Sequence, residues 1–251
     1  MAGVAQKAVR YLVSVLVLIF IWVSVSRLLS VPYYLLPWPG DVAKTLWAEH
    51  GMFIRATQFT LRNAMVGALI GIVLGVSTGL LVAYSKMLRW IIEPYLVIFQ
   101  SFPRESLFPL FIVWLGFGSI TKMVNAALLS FFPIALMTLN GLLDVREDYV
   151  MLVRGWGATR FEEFIHCRLP AYVPTLVSAV KIAFPLALIG AVLGEFLGAN
   201  QGLGYIIISS GSAFRTDRLF GAIVILAVLG VSILIVIQAI QDTFLTRFNQ
   251  E

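Results

Sequence analysis

Few residues in this chain have the types and spacing for chemistry. His50 and His166 lie far apart, and Cys167 is the single cysteine. They have no ligand spacing for a metal, and one thiol closes no internal disulfide. No Ser, His and acidic residues fall together as a catalytic set. No Gly-x-x-x-x-Gly-Lys-Ser/Thr phosphate loop occurs, so any ATP chemistry belongs to another chain. Three polar places interrupt apolar runs instead: Arg104 with Glu105, Glu195, and the stretch RGWGATRFEEFIHCRLP at 154–170.

A charge inside a membrane span costs about 2.5–3.5 kcal/mol on insertion scales and marks a functional position by default. Arg104 and Glu105 fall well inside an apolar run, near mid-depth. Two readings stand. Arg104 attracts an anionic substrate, or the two charges form a structural pair or turn towards water in a path. Glu195, near the outer end of another run, either holds an outer loop or lines a gate. Lys181 lies close enough to a span end to snorkel to water.

The stretch 154–170 reads as a local structure. Thr159 and Glu162 have the capping-box spacing, in which each side chain satisfies the other's backbone N–H. Gly155 and Gly157 allow a sharp entry. Pro170 is expected to end the helix, because the residue before a proline avoids helical geometry. The helix expected over 159–169 is about 15 Å long, too short to span. Glu162 and Glu163 in its first turn and Arg168 in its last suit its dipole. Phe161, Phe164 and Ile165 form one apolar face. Such a helix lies on lipid or plugs into a partner, and local physics does not choose between them.

The elements that carry these residues follow from composition. The chain has 251 residues, 60% hydrophobic and 12% charged, with a net charge of +5. Soluble domains are about 45–50% apolar and about 25% charged. Runs long enough to cross a bilayer recur throughout, so the reading is an all-α membrane protein of one domain over 1–251. Six spans are expected, about 11–29, 61–84, 94–117, 120–143, 173–197 and 219–239. The first run competes with a secretory leader cleaved near Ser24-Val25-Ser26, but its length and the later spans favour a retained helix. The aromatic and proline-rich segment 32–50 fits an outer surface, and GANQGLG at 198–204 an outer loop. Six spans put both termini and the 154–170 stretch on one side. Lysines and arginines there, including Lys86, Arg89 and Arg154, slightly outnumber those opposite, including Arg62, Lys122 and Arg215. The bias points to that side as cytoplasmic but is too small to orient the chain by itself; basic loops explain the net charge without nucleic acid. Gly67, Gly71, Gly75 and Gly79 share one helix face and allow another helix to approach closely.

The 154–170 stretch resembles the cytoplasmic motif of the inner-membrane permeases of ATP-binding-cassette importers. There a glycine precedes a Leu-Pro pair at fixed spacing, matched by Gly157 and Leu169-Pro170. Met151, Leu152 and Val153 stand where Glu-Ala-Ala is usual, and Cys167 where Ile is usual. Gly157-Ala158-Thr159-Arg160 resembles the common Gly-Ala-Ser-Arg. Other segments are similar to the taurine, aliphatic-sulfonate and nitrate branch. These are Leu36-Pro37-x-Pro39, Thr60-Leu61-Arg62 with the glycines that follow, Pro109-Leu110 with Trp114-Leu115-Gly116-Phe117-Gly118, and Glu195-Phe196-Leu197-Gly198-Ala199 with Gly202-Leu203-Gly204-Tyr205. The PRES stretch at 103–106 departs from that branch.

The resemblance implies a multi-pass permease of a prokaryotic inner membrane with cytoplasmic termini. It implies a homodimer of permeases, two ATPase subunits carrying ATP-Mg, and an extracytoplasmic substrate-binding protein. It casts Gly157, Ala158, Thr159, Arg160, Phe161, Glu162, Phe164, Leu169 and Pro170 as the ATPase-coupling set. No cofactor or metal is expected on this chain. The solute expected is a sulfonate, taurine, nitrate or a related small molecule, with a pyrimidine-type vitamin precursor as the alternative. A reading of a different class is a secondary transporter driven by an ion gradient, which needs no ATPase.

Overall fold

The computed structural model describes residue 13, residues 16–26 and residues 32–248. Every regular element among them is helical. A short apolar helix, α1 (Leu16–Ser26), lies within the first apolar run; the rest of that run's ends fall outside the described residues. Then come α2 (Pro39–Ala48), α3 (His50–Tyr84), α4 (Lys86–Ser101), a 3-10 turn (Arg104–Leu107) and α5 (Phe108–Leu115). After these are α6 (Ser119–Leu143), α7 (Glu147–Gly155), α8 (Arg160–Glu163), α9 (Leu169–Phe196), α10 (Leu203–Ser212) and α11 (Thr216–Phe248).

Four helices are long and apolar enough to cross a membrane, and the bent pair α4 with the 3-10 turn and α5 would make a fifth. The third span is therefore not the single run expected over 94–117. It is two pieces bent by 90°. Pro103 holds Phe102 extended (φ −77°, ψ 139°), and the helix stops there. Pro94, expected to open this span, sits inside α4, which starts at Lys86. The segment 32–50 contains a helix, α2, and the loop 198–204 leads into another, α10, neither of which periodicity in short windows revealed.

The core is a three-helix unit of α3, α6 and α9. A Cβ placed at Gly67 or Gly71 would collide with Ala126 or Ser130. At Gly75 it would lie 2.9 Å from Ile134 Cβ, and at Gly79 2.5 Å from Thr138 Cβ. Each step of four on α3 matches a step of four on α6, so these helices run parallel and in constant register. Backbones this close gain dispersion contacts that larger residues would prevent. Gly141 faces Thr175, and Gly190 faces Asn125 and Ala126, so α9 runs antiparallel to both. Ala64, Ala68, Ala126, Ala187, Leu188 and Ala191 fill the centre.

This register decides what the bent pair does. Tyr84, at the end of α3, lies level with Leu143, and Ser119, at the start of α6, lies level with Thr60. Residues 85–118 must climb back over that height. It corresponds to two dozen residues of helix, about 36 Å, and exceeds the roughly 30 Å hydrocarbon core. The bent pair thus makes one net crossing and is a broken span.

At the Thr60 end, α2, α3 and α11 are tied by charge. Glu49 accepts from Arg218 at 2.6 Å, and Asp217 accepts from Arg215 and from the Thr45 hydroxyl, both within 3.0 Å. The Asp217 carboxylate holds the Arg215 guanidinium above its ordinary range.

Candidate functional site

The 154–170 stretch starts as its sequence requires. Gly157 has φ +85°, a conformation that disfavours any residue with a Cβ. The Thr159 hydroxyl accepts from the Glu162 N–H at 3.3 Å, and Glu162 Oε2 accepts from the Thr159 N–H at 2.8 Å. The stretch does not end as expected. Leu169 stays helical (φ −65°, ψ −45°), and the helix runs unbroken from Arg160 to Phe196. Residues Phe164–Arg168 adopt a π-helical turn, with the Leu169 N–H donating to the Phe164 carbonyl. Pro170 has no N–H to give, and the widened turn places that missing donor without breaking the chain of bonds. The ten-residue surface helix is thus the first three turns of α9's own helix.

Glu163 is the residue that sequence reasoning undervalued. It is 4% exposed. Its Oε2 accepts from Arg154 Nε and its Oε1 from Arg168 Nε, both at 2.8 Å. Arg168 Nη1 also donates to the Leu142 carbonyl at 3.0 Å. One buried carboxylate therefore joins α7, α8 and the end of α6. The signal was present in the opposite charges at 154, 163 and 168, but α7 was not foreseen. Phe164 packs edge-on against Tyr84 with centroids 5.5 Å apart, whereas Phe161 is 59% exposed. Ala158 and Arg160 line the cavity behind the helix, and Pro170 is exposed.

Glu195 lies at the other end of the same continuous helix and is 1% exposed. Its Oε2 accepts from the Thr60 hydroxyl at 3.0 Å and from the Gly204 N–H at 2.8 Å. The Thr60 oxygen accepts in turn from the Leu203 N–H at 2.9 Å. These are the first two amides of α10, whose free donors favour a carboxylate. Gly202 has φ +105°, and a Cβ there would collide with the Glu195 carboxylate. Glu195 thus ties the end of α9 to Thr60 of α3 and to the start of α10. Lys122, counted among the outer charges in the sequence, is 2% exposed and donates to the Phe117 carbonyl. Asn63 and Asn125 are buried as well, with no hydrogen-bond partner for their amides among the described residues.

Arg104 and Glu105 do not form a pair in the described structure. Arg104 is drawn onto α6, donating to the Leu129 carbonyl at 3.4 Å, with its guanidinium 6.0 Å from the Phe132 ring centroid. Those residues lie near the middle of α6, so Arg104 sits at mid-depth. Its Nε is buried without a partner, and Glu105 is exposed. Lys181 donates to Gln238 on α11 at 3.1 Å. Among the described residues, no group of His, Cys, Asp and Glu could hold a metal.

Comparison with known proteins settles what this bundle is. Residues 67–250 match the model of the binding-protein-dependent transport system inner membrane component. The chain belongs to this family. It is a permease subunit of an ATP-binding-cassette importer, and such permeases are not themselves enzymes. The formylaminopyrimidine transport permease protein ThiX of Halalkalibacterium halodurans is 35% identical over 86% of this chain and 86% of its own. The putative aliphatic sulfonates transport permease protein SsuC of Bacillus subtilis is 29% identical over 85% of this chain and 78% of its own. An inward-facing structure of the MetNI methionine transporter shares the fold, with TM-score 0.69 and 24% identity, over 78% of this chain and 97% of that one. The family places the permease in an inner membrane, as a multi-pass protein working with an ATPase and a substrate-binding protein.

Proposed function

We propose that two identical copies of this permease form the solute path, with the 154–170 stretch as the element that couples each copy to its ATPase. In this reading the first apolar run adds a sixth span, both termini and 154–170 are cytoplasmic, and ATP-Mg binds only the ATPase subunits. The docking surface comprises Gly157 to Glu162, Phe164 and Leu169-Pro170.

The unbroken helix from Arg160 to Phe196 is the observation that carries the proposal. It is about 55 Å long. One end presents the exposed Phe161 ring, and the other holds Glu195 against Thr60 and the start of α10. A displacement imposed on the docking end is carried along a single stiff element to the loop at the far end. The Arg154–Glu163–Arg168 cluster makes α7 and the end of α6 move with it.

The solute proposed is a small anion of the sulfonate class. Arg104 supports it, because a partly exposed guanidinium at mid-depth offers charge-assisted hydrogen bonds to an oxyanion. A pyrimidine-type precursor is the second reading, favoured by the 35% identity to a formylaminopyrimidine permease. Thermal-shift screening of the partner binding protein against sulfonates, nitrate and pyrimidines separates the two. Reconstitution tests the mechanism itself. Uptake into proteoliposomes is expected to need the ATPase, ATP and the binding protein. Uptake driven by an ion gradient with this chain alone would make it a secondary transporter.

A further inference from the structure

A cavity of about 600 Å³ opens where the 154–170 helix faces the end of α3. Lys86, Arg89, Arg154, Arg160 and Arg168 line it, with Glu163 as its only acid. Both Glu163 oxygens are occupied by Arg154 and Arg168. Lys86, Arg89 and Arg160 thus have no carboxylate in the cavity to neutralise them. Arg89 Nη2 donates to the Ala83 carbonyl at 2.9 Å, closing the end of α3, while its Nε is buried and unpartnered.

The depth of this cavity is fixed by its walls. Tyr84 ends α3, Lys86 begins α4 and Leu143 ends α6, so it lies at one face of the bundle. Beside it Tyr84, Met87 and Trp90 are 56%, 72% and 83% exposed. Tyr and Trp gather at headgroup level, and basic pockets between spans at that level take anionic headgroups. The phosphate supplies what the unneutralised cations lack, and the exposed Met87 and Trp90 offer apolar surface to acyl chains.

We propose that this cavity binds the headgroup phosphate of an anionic phospholipid, phosphatidylglycerol or cardiolipin, through Lys86, Arg89 and Arg160. The lipid bridges the α3–α4 corner to the helix that the preceding reading assigns to ATPase docking, on which the regulatory meaning of the site rests. Anionic lipid content then tunes coupling.

The test is native mass spectrometry of the purified permease, with and without its ATPase, after exchange into defined lipid. The parent is expected to retain phosphatidylglycerol through delipidation that removes phosphatidylcholine. K86Q/R89Q is expected to lose that retention by at least about tenfold. An unchanged thermal midpoint in phosphatidylcholine alone establishes that the double variant still folds, and R89K should keep most of the binding. Equal retention by parent and double variant would overturn the site. If millimolar inorganic phosphate stabilises the parent as much as phosphatidylglycerol does, with the same loss in K86Q/R89Q, a free anion replaces the lipid and the proposal fails. It also fails if ATPase docking expels the lipid, because an acidic segment of the ATPase would then fill the cavity. The isolated permease still reports lipid binding if docking itself fails, so that failure would touch only the coupling reading.

Discussion

Arg168 donates to Glu163 at 2.8 Å across the π-helical turn that joins α8 to α9. The ion pair spans the widened turn from Glu163, just before it, to Arg168, its last residue, so the junction is braced where its backbone bonds are least regular. Glu163→Gln removes the charge that both arginines share. It is expected to lower stability by about 1–3 kcal/mol, with Arg168 contributing more than the largely exposed Arg154. Thermal unfolding of the purified permease measures this. Solute-stimulated ATPase activity of the complex should fall with it.

Close packing of α3 on α6 makes Gly75 intolerant of a methyl group. Gly75→Ala puts a Cβ 2.9 Å from Ile134 Cβ and from the Phe131 carbonyl, and is expected to cost about 1–3 kcal/mol. Gly40→Ala, where nothing lies within 4 Å, should leave the thermal midpoint at or above the parent's. A neutral Gly75→Ala would contradict the parallel register.

Removing the Thr60 hydroxyl leaves the Leu203 N–H and Glu195 without their shared partner. Thr60→Val is expected to cost about 1–3 kcal/mol, and Glu195→Ala more. Hydrogen exchange should show it locally, as faster exchange across 198–206 with little change in α6. Unchanged exchange there would remove Glu195 as the anchor of the 198–204 loop.

For Arg104, the expected outcome is a transport defect without an assembly defect. Arg104→Ala should lower uptake about ten- to a hundredfold, the loss of one charge-assisted hydrogen bond at the substrate. The complex with the ATPase should purify in normal yield. Normal uptake kinetics would take Arg104 out of the path and leave it as a brace between the broken span and α6.

The capping box at Thr159 and the glycine face of α3 were legible in the sequence because both are local patterns whose partners lie within a turn or along one face. The same four-residue step recurs on α6 at Lys122, Ala126, Ser130, Ile134 and Thr138, but without small residues throughout it was hidden. Pro170 was misread because proline normally stops a helix. Here the π-turn absorbs the missing donor, a tertiary adjustment without a sequence signature. The burial of Lys122 was not foreseen, because a lysine beside a span end usually reaches water. Burial against α3 and α9 depends on the register of three helices, which no single segment encodes. The bend at Pro103 was visible as an interruption, but its 90° angle was not.

In the proposed coupling, the helix beginning at Arg160 docks the ATPase through its exposed Phe161. Copurification of the ATPase with Phe161→Arg tests this, because Phe161 is 59% exposed and its replacement is expected to leave the fold intact. The expected result is loss of the ATPase from the purified complex, with the permease itself recovered in normal yield. ATPase binding and solute uptake undiminished in Phe161→Arg would contradict the docking role.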